Sequence, residues 1–479
     1  MSKKSIKKNY IYNVTYQVLV LLTPLITTPY LSRVLGAEGI GTVSFVESIV
    51  YYFVLFATLG ITTYGQREIS YVRDDYKLRT KVFWETKILE IIISIFVLGL
   101  YIIFSSVQQN KFMYYIFSFY ILAVTVDVVW LFQGLEEFGK IVIRNLFFKL
   151  VSIIYIFTTV HNEKDILKYV FGLAFFLFLS NLSLCGYLKG YIGIPKWKYI
   201  RPFRNIKIVI SMFVPTIAIS IYTVLDKTMI GLITKDAIQN GYYEQAIKIS
   251  RMVLTIVTSL GTVMIPRIGY YFGKGDIEQI NTFMYRAYRF VWFIGVPLCF
   301  GIVATASNFV PWFYGNSYSE VILLLKVLSF LILAIGINNV TGMQYLIPTK
   351  RQNTFTVTVL VGAVTNLVLN IILIGRLQAL GAAIASVAAE TTIALVQLFI
   401  IRKELSILKI FKCSLNYLLA GIFMLLVLIF LGEYLEPNIF NSFIMILIGA
   451  FIYFGVLLLI RDSFFMENTK SIMRKVINH

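Results

Sequence analysis

The 479 residues are 58% hydrophobic and 14% charged, with a formal net charge of +19. A soluble protein of that balance would carry more apolar surface than one core can hide, so the excess must face lipid. Nucleic-acid binding needs a basic face on a folded soluble domain, and no loop is long enough to build one; the short alternating segments of a membrane barrel are absent.

In chain order, the basic start MSKKSIKKNY runs into an apolar span with no small-residue cleavage site and reads as a cytoplasmic tail, residues 1–11. Apolar runs of ~20 residues, long enough to cross ~30 Å of hydrocarbon as helices, then fall at 12–34, 41–61, 82–104, 113–135, 142–159 and 167–187. These six make an N-lobe, 12–187. The segment KGYIGIPKWKYIRPFRNIK (189–207) has two prolines and six cations, and reads as a cytoplasmic linker over 188–206 that ends just before Lys207. Six further spans, 207–232, 242–266, 284–306, 321–346, 354–376 and 381–401, make a C-lobe, 207–401. Spans at 414–432 and 440–460 trail it, and 461–479 is a second cytoplasmic tail.

The expected fold is therefore all-α and polytopic, with about fourteen transmembrane helices. With the N-terminus inside, 31 of the 43 Lys and Arg residues fall in inward loops and tails, and six in outer loops and outer span ends. That bias orients the chain by the positive-inside rule and puts both termini in the cytoplasm. The lobes begin alike: Pro24 and Pro29 precede Arg33 and then Glu47, while Pro215 precedes Lys227 and then Glu244. Two parallel six-helix repeats plus a trailing pair account for this order.

Charged residues inside spans are costly and normally face a cavity or a partner. The candidates are Glu47, Lys87, Asp127, Lys149, Asp226, Lys227, Glu244, Lys248, Arg251, Lys326 and Glu390. Lys87 lies near an inner span end and is expected to snorkel to the interface. Glu244, Lys248 and Arg251, spaced i, i+4, i+7, share one helical face, and Glu244 can pair with Lys248. By depth, Arg33, Glu47, Lys227, Glu244, Lys248 and Arg251 fall in the outer half of the membrane, toward the seam between the repeats. They are expected to bind a substrate anion or to close an outer gate; Asp127, Asp226 and Glu390 are candidates for coupling to an ion. The aromatic content of 16% is expected mainly at lipid contacts and interfacial belts. Cys185, Cys299 and Cys413 suggest no disulfide framework or zinc spacing, and His161 and His479 no cluster, so neither metal nor cofactor is expected.

Several stretches resemble one known group. SRVLGAEGIGTVSF (32–45) resembles the first helix-to-helix turn of the multidrug, oligosaccharidyl-lipid and polysaccharide exporter superfamily. VVWLFQGLEEFGKIVIRN (128–145), LDKTMIGLI (225–233) and GYYEQAIKI (241–249) are similar to segments of its O-antigen and capsule repeat-unit flippases, the Wzx proteins. QYLIPTKRQN (344–353) and TNLVLNIILIGRLQALGAAIASVAAE (365–390) resemble its tenth to twelfth helices, except that IGRLQALGAA lacks a proline common in relatives. The resemblance implies a V-shaped pair of lobes around a central cavity. It also implies alternating-access transfer of undecaprenyl-pyrophosphate-linked oligosaccharide across the bacterial cytoplasmic membrane, with the bilayer and pathway proteins such as the polymerase as partners.

A multidrug exporter or a peptidoglycan-precursor flippase of the same fold is the alternative. A pump for organic cations calls for a mainly acidic cavity, whereas these spans mix both signs. An enzyme is not expected: the longest outer loop, near 307–320, is about fourteen residues and carries no paired carboxylates.

Overall fold

The computed structural model describes residues 6–259 and 261–477, with side chains described over 23–470 apart from 214–216, 218–222, 260, 262 and 263. The first five residues of the basic N-terminal tail and His479 lie outside the described residues, as does the side chain of Pro215. Every main element is helical. The chain divides into two compact units, 1–228 and 229–479.

The first unit opens with α1 (Ile6–Thr58), a merged pair of helices bent at Gly36, whose φ of 66° is a left-handed value that glycine adopts without strain. The bend falls between the first two expected spans. After α2 (Ile61–Tyr71), the Asp75 carboxylate caps α3 (Tyr76–Ser106) by accepting from the Lys77 and Leu78 amides. The fourth span is broken: α4 (Lys111–Thr125) stops, and α5 (Val129–Gly134) starts after three residues. α6 (Phe138–Thr159) and α7 (Ile166–Cys185) complete the set, and α8 (Ile206–Thr234) runs from the first unit into the second.

Apolar side chains around Val50, Tyr101, Phe117 and Ile121 fill one core of this unit, and Phe83, Trp130, Leu131 and Phe132 fill another. The opposite faces of the same helices leave Ile103 68% and Phe112 64% exposed, a cost in water that lipid removes.

The second unit continues with α9 (Ala237–Thr258), α10 (Gly261–Lys274) and the long α11 (Ile277–Phe313). The tenth span is three pieces: α12 (Ser319–Leu328), α13 (Leu331–Asn338) and a π-helical stretch, Asn339–Leu346. α14 (Gln352–Ile401) is a second merged pair, broken at Gln378 (φ 52°, ψ −129°) between the eleventh and twelfth expected spans. Where proline is missing, a strained Gln378 makes the turn, and Gly381 closes it: a Cβ there would stand 2.6 Å from the Leu373 carbonyl. α15 (Ile407–Lys412) leads to α16 (Leu415–Tyr434), α17 (Ile439–Leu459) and α18 (Ser463–Ile477).

The trailing helices are bound to α11. Tyr288, Val291, Tyr417, Met445 and Tyr453 share one buried core, and Arg289 reaches both the Tyr417 hydroxyl (2.7 Å) and the buried Asp462 carboxylate (2.9 Å). Ten helical segments among the described residues are long and apolar enough to cross a membrane, two of them being kinked segments of 49 and 50 residues. At ~1.5 Å per residue each of those two is long enough for a pair of crossings.

Candidate functional site

Among the described residues, three arrangements of membrane-embedded charges bear on function. In the first unit, Glu47 lies past the Gly36 bend and accepts a hydrogen bond from the Tyr120 hydroxyl at 3.0 Å. Its neighbour Ser48 accepts from the Thr228 hydroxyl (2.9 Å), which also meets the Tyr52 hydroxyl (3.1 Å). The segments carrying Glu47 and Lys227 are thus side by side, held by buried hydroxyls. Asp226 is 5% exposed on the same turn as the partly exposed Lys227. Arg33 is exposed on the other side of the bend, where Nη1 donates to the Pro29 carbonyl at 3.0 Å.

In the second unit, Lys248 Nζ stands 3.7 Å from Glu244 Oε1 on α9, with 31% of the lysine side chain exposed. The pairing anticipated from their spacing is therefore present but loose, and Arg251 is exposed one turn on. The Tyr314 hydroxyl donates to the Gln245 carbonyl at 2.9 Å and fixes α9 at this level. Glu390, 8% exposed, accepts from the Asn338 amide at 2.9 Å, next to the π-helical stretch.

The third arrangement corrects the expectation for Lys87. Its side chain does not reach an interface: Lys87 is 6% exposed, and Nζ donates to Glu90 Oε2 (2.6 Å) and to the Asp127 carbonyl (2.5 Å). That carbonyl is available because the helix stops between α4 and α5. The Asp127 carboxylate accepts from the Val129 amide (2.8 Å), so it holds the break open. On the next helices Arg144 donates to the Ser180 carbonyl (2.7 Å) and to Asn145 (2.7 Å). Glu90, fully buried, was missed among the candidates; its position three residues after Lys87 was the available signal.

An apolar cavity of about 430 Å³ lies among α9, α11, α16 and α17, lined by Val253, Pro297, Leu298, Met424, Met445 and Tyr453. Among the described residues no three His, Cys, Asp or Glu side chains group as a metal site would require.

The chain is a multi-pass, all-helical membrane protein with broken spans and ionisable side chains of both signs inside them, a fold that solved structures share. A lipid II flippase, MurJ, in an inward closed conformation superposes with a TM-score of 0.76 at 17% identity, covering 95% of this chain and 99% of that one. An inward-facing multidrug resistance MATE family transporter gives 0.63 at 13% identity, over 84% and 98%. The chain belongs to the polysaccharide biosynthesis protein family, which it matches over residues 6–272. It is 24% identical over 416 residues to a protein of Escherichia coli K12 described as "Putative O-antigen transporter", covering 84% of this chain and 98% of that protein. A Shigella dysenteriae protein of the same description is 23% identical over 386 residues, 79% of this chain and 95% of that protein.

Proposed function

We propose that this protein flips undecaprenyl-pyrophosphate-linked polysaccharide repeat units from the cytoplasmic to the outer leaflet by alternating access. The observation that carries the reading is the cationic face of α9, where Lys248 stands 3.7 Å from Glu244 and Arg251 is exposed, inside a helix that apolar packing alone would not have charged. A sugar-pyrophosphate head cannot cross hydrocarbon without its water, so its path needs cations and hydrogen-bond donors throughout. Arg33 and Lys227 in the first unit, and Lys248 and Arg251 in the second, are the proposed anion-binding cations. Glu47 and Glu244 compete with the substrate for them, so substrate binding loosens the carboxylate contacts and biases the transporter outward. The apolar cavity among α9, α11, α16 and α17 suits part of the hydrocarbon tail.

The topology is that of a cytoplasmic-membrane protein with both termini inside, an N-lobe over 12–187, a linker over 188–206, a C-lobe over 207–401 and two trailing helices. An anion leaving a negative interior gains up to ~2.3 kcal/mol per charge per 100 mV, enough to favour export without a coupled ion. Should a counter-ion be used, the buried carboxylates Asp226 and Glu390, with Asp127, are where it would bind.

The experiment replaces Arg33, Lys227 and Arg251 singly by Ala and follows a fluorescent lipid-linked oligosaccharide crossing proteoliposomes. Each variant is expected to lose roughly tenfold or more in rate, as removal of a charge-assisted contact of ~1.5–3 kcal/mol implies. Full activity in all three removes the cationic site. Efflux of organic cations with no glycolipid movement would favour the multidrug reading instead.

A further inference from the structure

The transport reading leaves a basic cavity of the first unit unused. The segment after α7 folds back over the start of α3, closed on itself by a bridge between Lys189 and Ile192. Four hydrogen bonds pin it there. The Arg79 guanidinium donates to the Tyr191 carbonyl (3.0 Å), the Trp84 indole to the Gly193 carbonyl (2.9 Å), the Gly193 amide to the Thr80 hydroxyl (3.0 Å) and the Arg201 amide to Glu85 (3.1 Å). Beneath the strap lies a cavity of about 560 Å³ with Lys77, Lys81 and Lys196 on its wall and no acidic lining residue. Two carboxylates on and beside α3 are already engaged: Asp75 caps α3, and Glu85 holds Arg201 and stands 3.9 Å from Lys81.

We propose that this cavity binds the phosphate headgroup of an anionic phospholipid. The three ammonium groups supply the charge, and the exposed Tyr76 and Tyr199 add hydroxyl donors. The rim identifies the ligand as a lipid rather than a soluble phosphate: Ile194 is 91% exposed and Trp197 63%, beside the ends of two membrane-crossing helices. Apolar and aromatic side chains interleaved with lysines at such a position suit the headgroup layer, where a basic pocket holds an anionic lipid. The inference needs α3 and α7 to cross a membrane and does not depend on what the protein transports. Under the topology proposed above, the lipid belongs to the cytoplasmic leaflet.

The test measures thermal unfolding of the full chain in phosphatidylcholine nanodiscs containing increasing phosphatidylglycerol, with glycerol 1-phosphate as the soluble comparison. Phosphatidylglycerol should raise the unfolding temperature of the unaltered protein, and glycerol 1-phosphate should not. K77Q/K81Q/K196Q should weaken the apparent lipid affinity roughly 100-fold, each lysine contributing as a juxtamembrane cation does, with no change in phosphatidylcholine alone. K409Q/K412Q, removing two lysines elsewhere, should respond as the unaltered protein does. If the triple variant does not fold, K196Q alone, in the exposed strap, should cost about fivefold. A lysine-depleted variant responding like the unaltered protein, or equal protection by glycerol 1-phosphate, overturns the proposal.

Discussion

The two units treat an intrahelical ion pair in opposite ways. In the first, Lys87 and Glu90 are 2.6 Å apart, with side chains 7% and 0% exposed. In the second, Glu244 and Lys248 are 3.7 Å apart, and the lysine is 31% exposed. The tight pair is further held by the Asp127 carbonyl at the broken fourth span, so it has the form of a lock between helices. The loose pair is longer and its side chains are 31% and 15% exposed. A buried pair mainly specifies packing, whereas an accessible one can exchange its partner for a substrate anion.

The largest expected effect comes from breaking the tight pair on one side. Glu90→Ala leaves a buried ammonium uncompensated and should cost ~3–5 kcal/mol, read as a lower unfolding temperature and reduced recovery of monodisperse protein. The double change Lys87→Met with Glu90→Leu should recover most of that loss, because an apolar pair of similar volume removes the uncompensated charge. If Glu90→Ala is neutral, the lock is not structural.

The loose pair should behave in the reverse sense. Lys248→Ala should cost less stability than Glu90→Ala, because its pair is longer and only partly buried, while glycolipid translocation falls. A large stability loss with transport retained would erase the distinction between the two pairs. A small effect is expected from Gln378→Gly, which relieves a left-handed glutamine and should stabilise the second unit by ~1 kcal/mol in thermal unfolding.

The smallest effect lies at a third pair, outside the membrane-crossing segments. Arg351 makes a two-pronged contact with Glu404 (2.8 and 2.7 Å), and the Tyr345 hydroxyl donates to the same carboxylate (2.5 Å). The Arg351 hydrogen bonds hold the Glu404 carboxyl below its ordinary range, against the opposing effect of burial. A depressed carboxylate pKa contributes stability that is full above the unfolded value of ~4.3 and is lost as pH falls through the folded value. Unfolding temperature should therefore decline below about pH 4.3, and part of that decline should be absent in Glu404→Gln.

Most of the fold was legible because lipid imposes a simple rule: long apolar runs become helices, and glycine or a charge interrupts them. The Gly36 bend and the turn near Gln378 fall where expected spans abut, and the i, i+4 relation of Glu244 and Lys248 followed from helical geometry alone. The role of Lys87 was not legible, because its depth suggested snorkelling and its second partner is a backbone carbonyl. That carbonyl becomes available only where the helix stops at 126–128, and a broken span has the same composition as an intact one. The π-helical stretch near Asn338 and Glu390 was hidden for the same reason.

Under the proposed function, the cations retained in these helices carry a lipid-linked pyrophosphate across the bilayer. That transfer is tested most directly by reconstituting the purified protein in liposomes with a fluorescent undecaprenyl-pyrophosphate oligosaccharide and measuring how fast the label becomes accessible on the opposite face. The prediction is transfer well above that of protein-free liposomes, and a return toward that baseline in Lys227→Ala/Arg251→Ala. Equal rates with and without the protein, or an unaltered rate in the double variant, would contradict it.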